Sequence, residues 1–228
     1  MNSEFGFKLG LIPLLLTLAF FAACTDYVHQ LEEERDEWRL VQAAEKSKVS
    51  SSKKQNVGEM VDSRDGRTYK TVTIGNQVWL AENLALETAD SYCFADNDMN
   101  CETYGRLYTW DEAFFACPSR WHLPTLEEWN VLFSAVGGEA FVGEHLKSAN
   151  GWNDEGNGMD YYGFSALPAG ARDFNGSFGN LGDNGYFWSA SEESGENAFY
   201  IDFFYAEKSI ETKFSNKAYS FSVRCLMD

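Results

Sequence analysis

Thr109-Trp110-Asp111-Glu112 and Thr125-Leu126-Glu127-Glu128 carry one signal twice: a threonine suited to cap a helix, with an acid three residues later that can reach back to it. After the first, Trp110, Ala113, Phe114 and Cys117 recur on one face until Pro118 stops the run. After the second, Trp129, Leu132, Phe133 and Val136 keep helical spacing until Gly137-Gly138. Two short amphipathic helices are therefore expected, their aromatic stripes turned to a core. On either side the period falls to two. Thr68 to Ile74 is rich in β-formers, Gly75-Asn76 is a two-residue turn, and Gln77-Val78-Trp79-Leu80 completes a hairpin. Downstream, strands are expected over 186–191, 197–205, 209–214 and 219–226. Phe199, Ile201, Phe203 and Tyr205 alternate in one of them, and Tyr219, Phe221, Val223 and Cys225 in another. The class is α+β.

Composition supports this. The chain has 228 residues, 44% hydrophobic and 16% aromatic, with 19 glycines against 4 prolines. That is enough to bury a core, and its aromatic and glycine content suits a loop-rich β or α+β domain rather than a helical bundle. The formal charge is −17. Nucleic-acid binding needs a basic face, which this chain lacks the residues to build. Residues 147–185 are rich in Gly, Asn and Asp and read as a long irregular loop region, with Trp152, Tyr161, Tyr162, Phe174 and Phe178 spread through it. Long loops of this kind carry function or are disordered, and the aromatics argue for function.

The N-terminus reads as an address. Lys8 precedes an uncharged, apolar run from Leu9 to Ala23. As a helix this run spans roughly 22 Å, short of a ~30 Å hydrocarbon core. It has the shape of a secretory signal peptide over residues 1–23. Phe21-Ala22-Ala23-Cys24 resembles the bacterial lipobox, which makes Cys24 the lipidated first residue of the mature chain. Thr25 after it implies sorting to the outer membrane, with acyl chains as the anchor. Residues 24–57, highly charged around Leu31, Trp38, Leu40 and Val41 and then Ser/Lys-rich, read as a tether in which a short solvated helix is possible. The folded domain is placed at 58–228.

Apart from Cys24 the cysteines are Cys93, Cys101, Cys117 and Cys225, an even number in a chain marked for export. Three pairings are open to four cysteines. Cys93 and Cys101 are near neighbours and form the economical local clip, which leaves Cys117 to join Cys225 across a long closure.

Several stretches then carry a family resemblance. Asp65-Gly66-Arg67-Thr68-Tyr69-Lys70-Thr71-Val72 followed by Ile74-Gly75-Asn76-Gln77-Val78-Trp79-Leu80-Ala81-Glu82-Asn83-Leu84 resembles the opening of the Fibrobacter succinogenes major paralogous domain. The middle agrees in Tyr104-Gly105-Arg106-Leu107-Tyr108-Thr109-Trp110, Ala116-Cys117-Pro118 and Trp121-His122-Leu123-Pro124-Thr125. The end agrees in Gly163-Phe164-Ser165-Ala166-Leu167-Pro168-Ala169-Gly170, Phe187-Trp188-Ser189-Ala190-Ser191 and Phe221-Ser222-Val223-Arg224-Cys225. The resemblance implies a secreted or lipid-anchored bacterial surface domain without an established activity. It also implies a C-type lectin-like α+β fold with two helices, antiparallel strands and a long loop region, tied by disulfides.

Few motifs carry chemistry. Asp96, Asp98 and Asn100 offer oxygens at alternating positions and are candidate calcium ligands, although Cys101 and Leu107 stand where an EF-hand needs Gly and Glu. No other cofactor is expected. Trp152-Asn153-Asp154 spells a tripeptide of calcium-dependent lectins but lacks the partner motif. Ser165, in Gly163-Phe164-Ser165-Ala166-Leu167, lacks the context of a nucleophile elbow. His122 reads as a satisfied structural residue. The expected function is a surface-anchored, non-catalytic binding module for polysaccharide, with Trp152, Tyr161, Tyr162, Phe174 and Trp188 as contacts. Trp188, in a strand motif, is the first of these to expect in the core. The alternative is an envelope structural or protein-binding lipoprotein, and a hydrolase with paired carboxylates is the remote one.

Overall fold

The computed structural model describes residues 30–32, 34–40 and 57–228. The expected signal segment, Cys24 and most of the tether lie outside the described residues. The chain divides into two units, residues 1–48 and 49–228. In the first, residues 30–32 and 34–40 are helical and exposed, as a segment with so few apolar residues must be. Among the described residues no helix is long and apolar enough to cross a membrane.

The second unit is mixed α+β. One sheet takes β1 (Val57–Val61), β2 (Thr68–Ile74), β3 (Gln77–Leu80), β13 (Leu226–Met227) and β6 (Trp121–His122), in that spatial order and all antiparallel. The other takes β11 (Ile210–Asn216), β10 (Asn197–Phe204), β9 (Asn184–Glu192), β12 (Phe221–Ser222), β5 (Leu107–Tyr108) and β4 (Ser91–Tyr92). There β12 runs parallel to β9, while its pairing with β5 is antiparallel. A small hairpin, β7 (Ala171–Arg172) with β8 (Phe178–Gly179), is joined to the residue before β12 by the Arg172–Ser220 bridge. The β2–β3 turn follows its sequence: Gly75 sits at φ +62°, a left-handed first turn position that glycine adopts without strain.

Two apolar clusters make the core, and the central strands feed both. In β3, Trp79 belongs to the first and Leu80 to the second; in β9, Phe187 belongs to the first and Trp188 to the second. Successive side chains of a strand point to opposite faces, so these strands are covered on both sides. Helix α3 (Leu126–Ala135) closes the first cluster with Trp129, Leu132 and Phe133. Helix α2 (Trp110–Ala116) closes the second with Trp110, Ala113 and Ala116. Cys117, at the end of α2, is bonded to Cys225, and Cys93 to Cys101, the pairing expected.

Several expectations are corrected. There are two further short helices, α1 (Asp98–Tyr104) and α4 (Val142–Leu146). The second capping box forms: the Thr125 hydroxyl accepts from the Glu128 N–H, and the Glu128 carboxylate accepts from the Thr125 N–H. The first does not, because Thr109 makes no side-chain cap bond. Phe114 faces solvent instead of the core. The expected strand 219–226 is broken into β12 and β13, and Ser220, Ser222 and Arg224 are as buried as Phe221, Val223 and Cys225. This segment runs through the interior, where alternation no longer separates solvent from core.

Residues 147–185 are ordered structure. Ser148 N–H donates to Ala166 O, Gly158 N–H to Ser148 O and Asn153 N–H to Gly182 O, while Phe164 and Ala166 are fully buried. The region contributes core as well as surface.

Candidate functional site

The five aromatic candidates do not converge. Trp152 is buried in the first cluster, with its indole N–H donating to Ser148 Oγ and Ala166 O and the Lys147 ammonium 5.0 Å from its ring. Trp188 is fully buried in the second cluster, its N–H donating to Tyr108 O. Neither ring can face a ligand, because the indole is a large apolar payload that these close-packed cores consume. Tyr161 and Tyr162 flank His145 at 5.2 and 6.2 Å between ring centroids. Phe174 lies elsewhere, 61% exposed and in edge contact with Tyr219.

Phe174 leads to an aromatic strip. From it the rings run to Tyr219 (5.7 Å), Phe221 (6.0 Å), Tyr186 (5.1 Å) and Tyr200 (5.7 Å from Tyr186). Phe221 is buried as the floor; Tyr186, Tyr200 and Tyr219 are half-buried at the rim of the second cluster. The positions follow from register. Tyr186 pairs with Asp202 and Trp188 with Tyr200 across β9–β10, so these four share one face of the sheet. Tyr200 and Asp202 lie opposite Lys213 and Glu211 on β11.

Polar groups edge the strip. Asn180 Nδ2 donates to the Tyr186 hydroxyl at 2.9 Å, and Asp202 accepts from Asn184 Nδ2 at 2.7 Å and from Lys213 Nζ at 3.0 Å. Burial pushes the Tyr186 phenol up to about 12 and raises that of Tyr200, with the Asp202 charge adding to both. Both therefore stand as neutral hydroxyls at physiological pH, able to donate and accept. Beside the strip, the β7–β8 hairpin holds the Arg172 guanidinium 3.9 Å from the Tyr92 ring centroid. A rigid row of ring faces bordered by directional polar groups can bind a flat, hydroxylated or apolar-faced ligand.

A separate cleft of about 400 Å³ is lined by Arg67, Lys70, Glu82, Glu102, Tyr104 and Ser165 among others, and by none of the five candidates. Arg67 lies 3.7 Å from Glu102, and the Glu82 carboxylate accepts from the Lys70 N–H.

The calcium candidates do not form a cage. Asn97 caps α1 by accepting from the Met99 N–H, Asp98 begins that helix, and the Asn100 amide donates to Phe94 O. Among the described residues no group of three or more His, Cys, Asp or Glu side chains could hold a metal. Ser165 bonds to Asp160 through both its N–H and its hydroxyl. His122 has both ring nitrogens engaged, by Asp228 at 2.7 Å and Glu128 at 3.0 Å.

Tyr186, Tyr200 and Tyr219 were not singled out from sequence. A usable signal existed: with Phe199, Ile201 and Phe203 assigned to one face of the strand, Tyr200 and Asp202 had to occupy the other.

The molecule is a disulfide-tied α+β domain that carries an aromatic strip on one sheet face. The chain belongs to the Fibrobacter succinogenes major domain family, whose model matches residues 72–227. No curated protein and no solved structure matches the chain.

Proposed function

We propose that this chain is a non-catalytic binding module whose ligand is polysaccharide, held at the strip of Phe174, Tyr219, Tyr186 and Tyr200. The observation that carries the reading is Phe174, exposed in the turn between β7 and β8, standing at the end of a row of half-buried tyrosines of which Tyr186 and Tyr200 lie on the sheet. An exposed ring fixed in this way loses little entropy on binding and offers its face to the C–H side of a sugar ring. Asn180 and Lys213 supply the hydrogen bonds that orient such a ligand, with buried Asp202 holding Lys213 in place.

The remaining parts of the proposal rest on sequence. Lipidation at Cys24 and the tether would hold the module at the outer membrane, facing the cell surface. The architecture is taken as C-type lectin-like by resemblance, and calcium as a possible but unassigned ion. Nucleic acid is not a partner of so acidic a chain. A protein partner is the second reading, favoured by Phe114 and by Phe115, 80% exposed on α2.

The test is a glycan and surface-protein panel, run with calcium and with chelator, on the wild type and on Phe174→Ala and Tyr200→Ala. Glycan binding lost in both variants, with folding intact, supports the proposal. Binding that survives both variants moves the site elsewhere. Protein binding lost in Phe115→Ser favours the second reading. Glycan cleavage abolished by Glu82→Gln would replace binding with hydrolysis.

A further inference from the structure

The outer edge of the six-stranded sheet is β11, Ile210-Glu211-Thr212-Lys213-Phe214-Ser215-Asn216. One side pairs with β10 along its whole length, from Ile210 against Phe203 to Asn216 against Asn197. Its other side carries no strand among the described residues. Such an edge is a template for a further strand unless charge or shape blocks it. Here the charges are arranged as a palindrome. Outward from Thr212, Glu211 balances Lys213, and Ile210 balances Phe214.

We infer that β11 is a self-association edge, at which two copies of this chain join antiparallel about a two-fold axis through Thr212. That register sets Glu211 opposite the partner's Lys213 and Ile210 opposite the partner's Phe214, each twice by symmetry. Directly opposed residues share a face. The charge pairs fall on the face of Asp202 and Tyr200, where Lys213 already contacts Asp202 and Glu211. The apolar pairs fall on the face of Phe203, Ile201 and Phe199 and cover Phe214, which is 56% exposed in the single chain.

Charge also fixes the register. Centring the axis on Lys213 opposes two lysines, and centring it on Glu211 opposes two glutamates. The edge of the other sheet lacks this pattern, since β1 has Glu59 as its one charged residue and no base to answer it. At physiological ionic strength the Debye length is about 8 Å. The general repulsion of a chain at −17 is then screened more than the contacts at the seam. The result would be one continuous sheet with a strip on each half, with Lys213 shared between the strip's border and the seam.

Sedimentation equilibrium of the full chain at physiological salt is expected to show a monomer–dimer equilibrium. Glu211→Lys puts lysine opposite lysine twice and should weaken the dimer about tenfold or more. Adding Lys213→Glu to it recreates the complementary order and should restore the dimer. Cys24 is the one cysteine outside the two disulfides. In a Cys24→Ser background, Thr212→Cys therefore places a single thiol on the axis and should cross-link two chains under mild oxidation, whereas Ser215→Cys should not. A chain that stays monomeric up to about 1 mM (Kd) overturns the inference. So does Ser215→Cys cross-linking as readily as Thr212→Cys, or a dimer indifferent to Glu211→Lys.

Discussion

Arg224 is fully buried, yet neutral oxygens receive its guanidinium. Nε and Nη2 donate to Asn83 Oδ1 at 3.3 and 2.8 Å, Nη1 to Leu80 O at 3.1 Å and to Phe164 O, and Nη2 to Ser165 O at 3.0 Å. The group thereby ties the end of β3 to residues 164–165 from within the chain's last segment, next to the Cys225 bridge. Replacing it with methionine sets two quantities against each other. Burial lowers the guanidinium to about 9, with the charges of Asp160 and Glu82 opposing, so it stays charged at neutral pH at a cost of roughly 5 kcal/mol. Five hydrogen bonds from a charged donor stabilise by about 1.5–3 kcal/mol each. The bonds exceed the cost by about 2.5–10 kcal/mol, and Arg224→Met is expected to destabilise the domain by an amount in that range, a large part of a typical domain's stability. Urea unfolding of wild type and variant, with the slope checked for constancy, measures this. Buried charge clusters elsewhere have been replaced by apolar residues at no loss or at a gain. Arg224→Met matching or exceeding the wild type would refute the reasoning.

Removing the long closure with Cys117→Ala and Cys225→Ala should cost about 4–5 kcal/mol, because the closed loop spans 108 residues, and unfolding curves in oxidising buffer will read it. Thr125→Ala should cost about 1 kcal/mol by thermal melting, whereas Thr109→Ala, which removes no cap bond, should cost a few tenths at most. The bridge at His122 should make stability depend on pH. Burial pulls the imidazolium down, but Asp228 and Glu128 outweigh it and hold the pKa above 6.5. A raised base contributes fully below its unfolded value of 6.5 and loses that contribution as pH rises through the folded value. Burial raises Glu128, but its bonds to Thr125 and His122 outweigh that, so its pKa lies below 4.5. A lowered acid contributes above 4.5 and loses that contribution as pH falls through the folded value. The gap in melting temperature between wild type and His122→Gln should therefore be widest between about pH 4.5 and 6.5; a gap that does not change with pH speaks against it.

Much of the framework was legible because local signals agreed with the final packing. The β2–β3 hairpin and α3 with its capping box have short-range causes, and the Cys117–Cys225 bridge, though 108 residues long, follows once Cys93 is paired with its near neighbour Cys101. The failures have long-range causes. The pattern in 219–226 was right as a period, but burial on both sides of that segment depends on β3, β5, β9 and residues 164–165, all distant in sequence. Thr109 has the residue type of a cap without the bond, and what chose Thr125 instead was the wider mesh of Glu128, which also serves His122. Helix α1 lies in a stretch whose alternating Asp96, Asp98 and Asn100 read as a solvated loop with candidate calcium ligands, and so gives no helical signal.

The same distinction explains the candidate site. The abundance of Asn, Asp and Gly suggests ligand-binding loops, yet several of the Asn and Asp side chains serve the backbone around them. Asp173 accepts from the N–H groups of Asn175 and Ser177, Asn216 from that of Ala218, Asp65 from that of Arg67 and Asp160 from that of Ser165. Asx-turn chemistry accounts for part of this composition without any ligand. The aromatics were harder to sort, because a ring suits a core and a binding face equally well, and register alone separates them. Phe187 and Trp188 go to opposite clusters, and Tyr186, one residue earlier, stands on the rim. The aromatic strip thus arises where the second cluster runs out of helix to cover it. Binding there would use the same rings that stabilise the fold, so substitutions of Tyr186 and Tyr200 should lower both affinity and stability. Phe174, at the exposed end, should affect affinity alone, which makes it the cleaner probe.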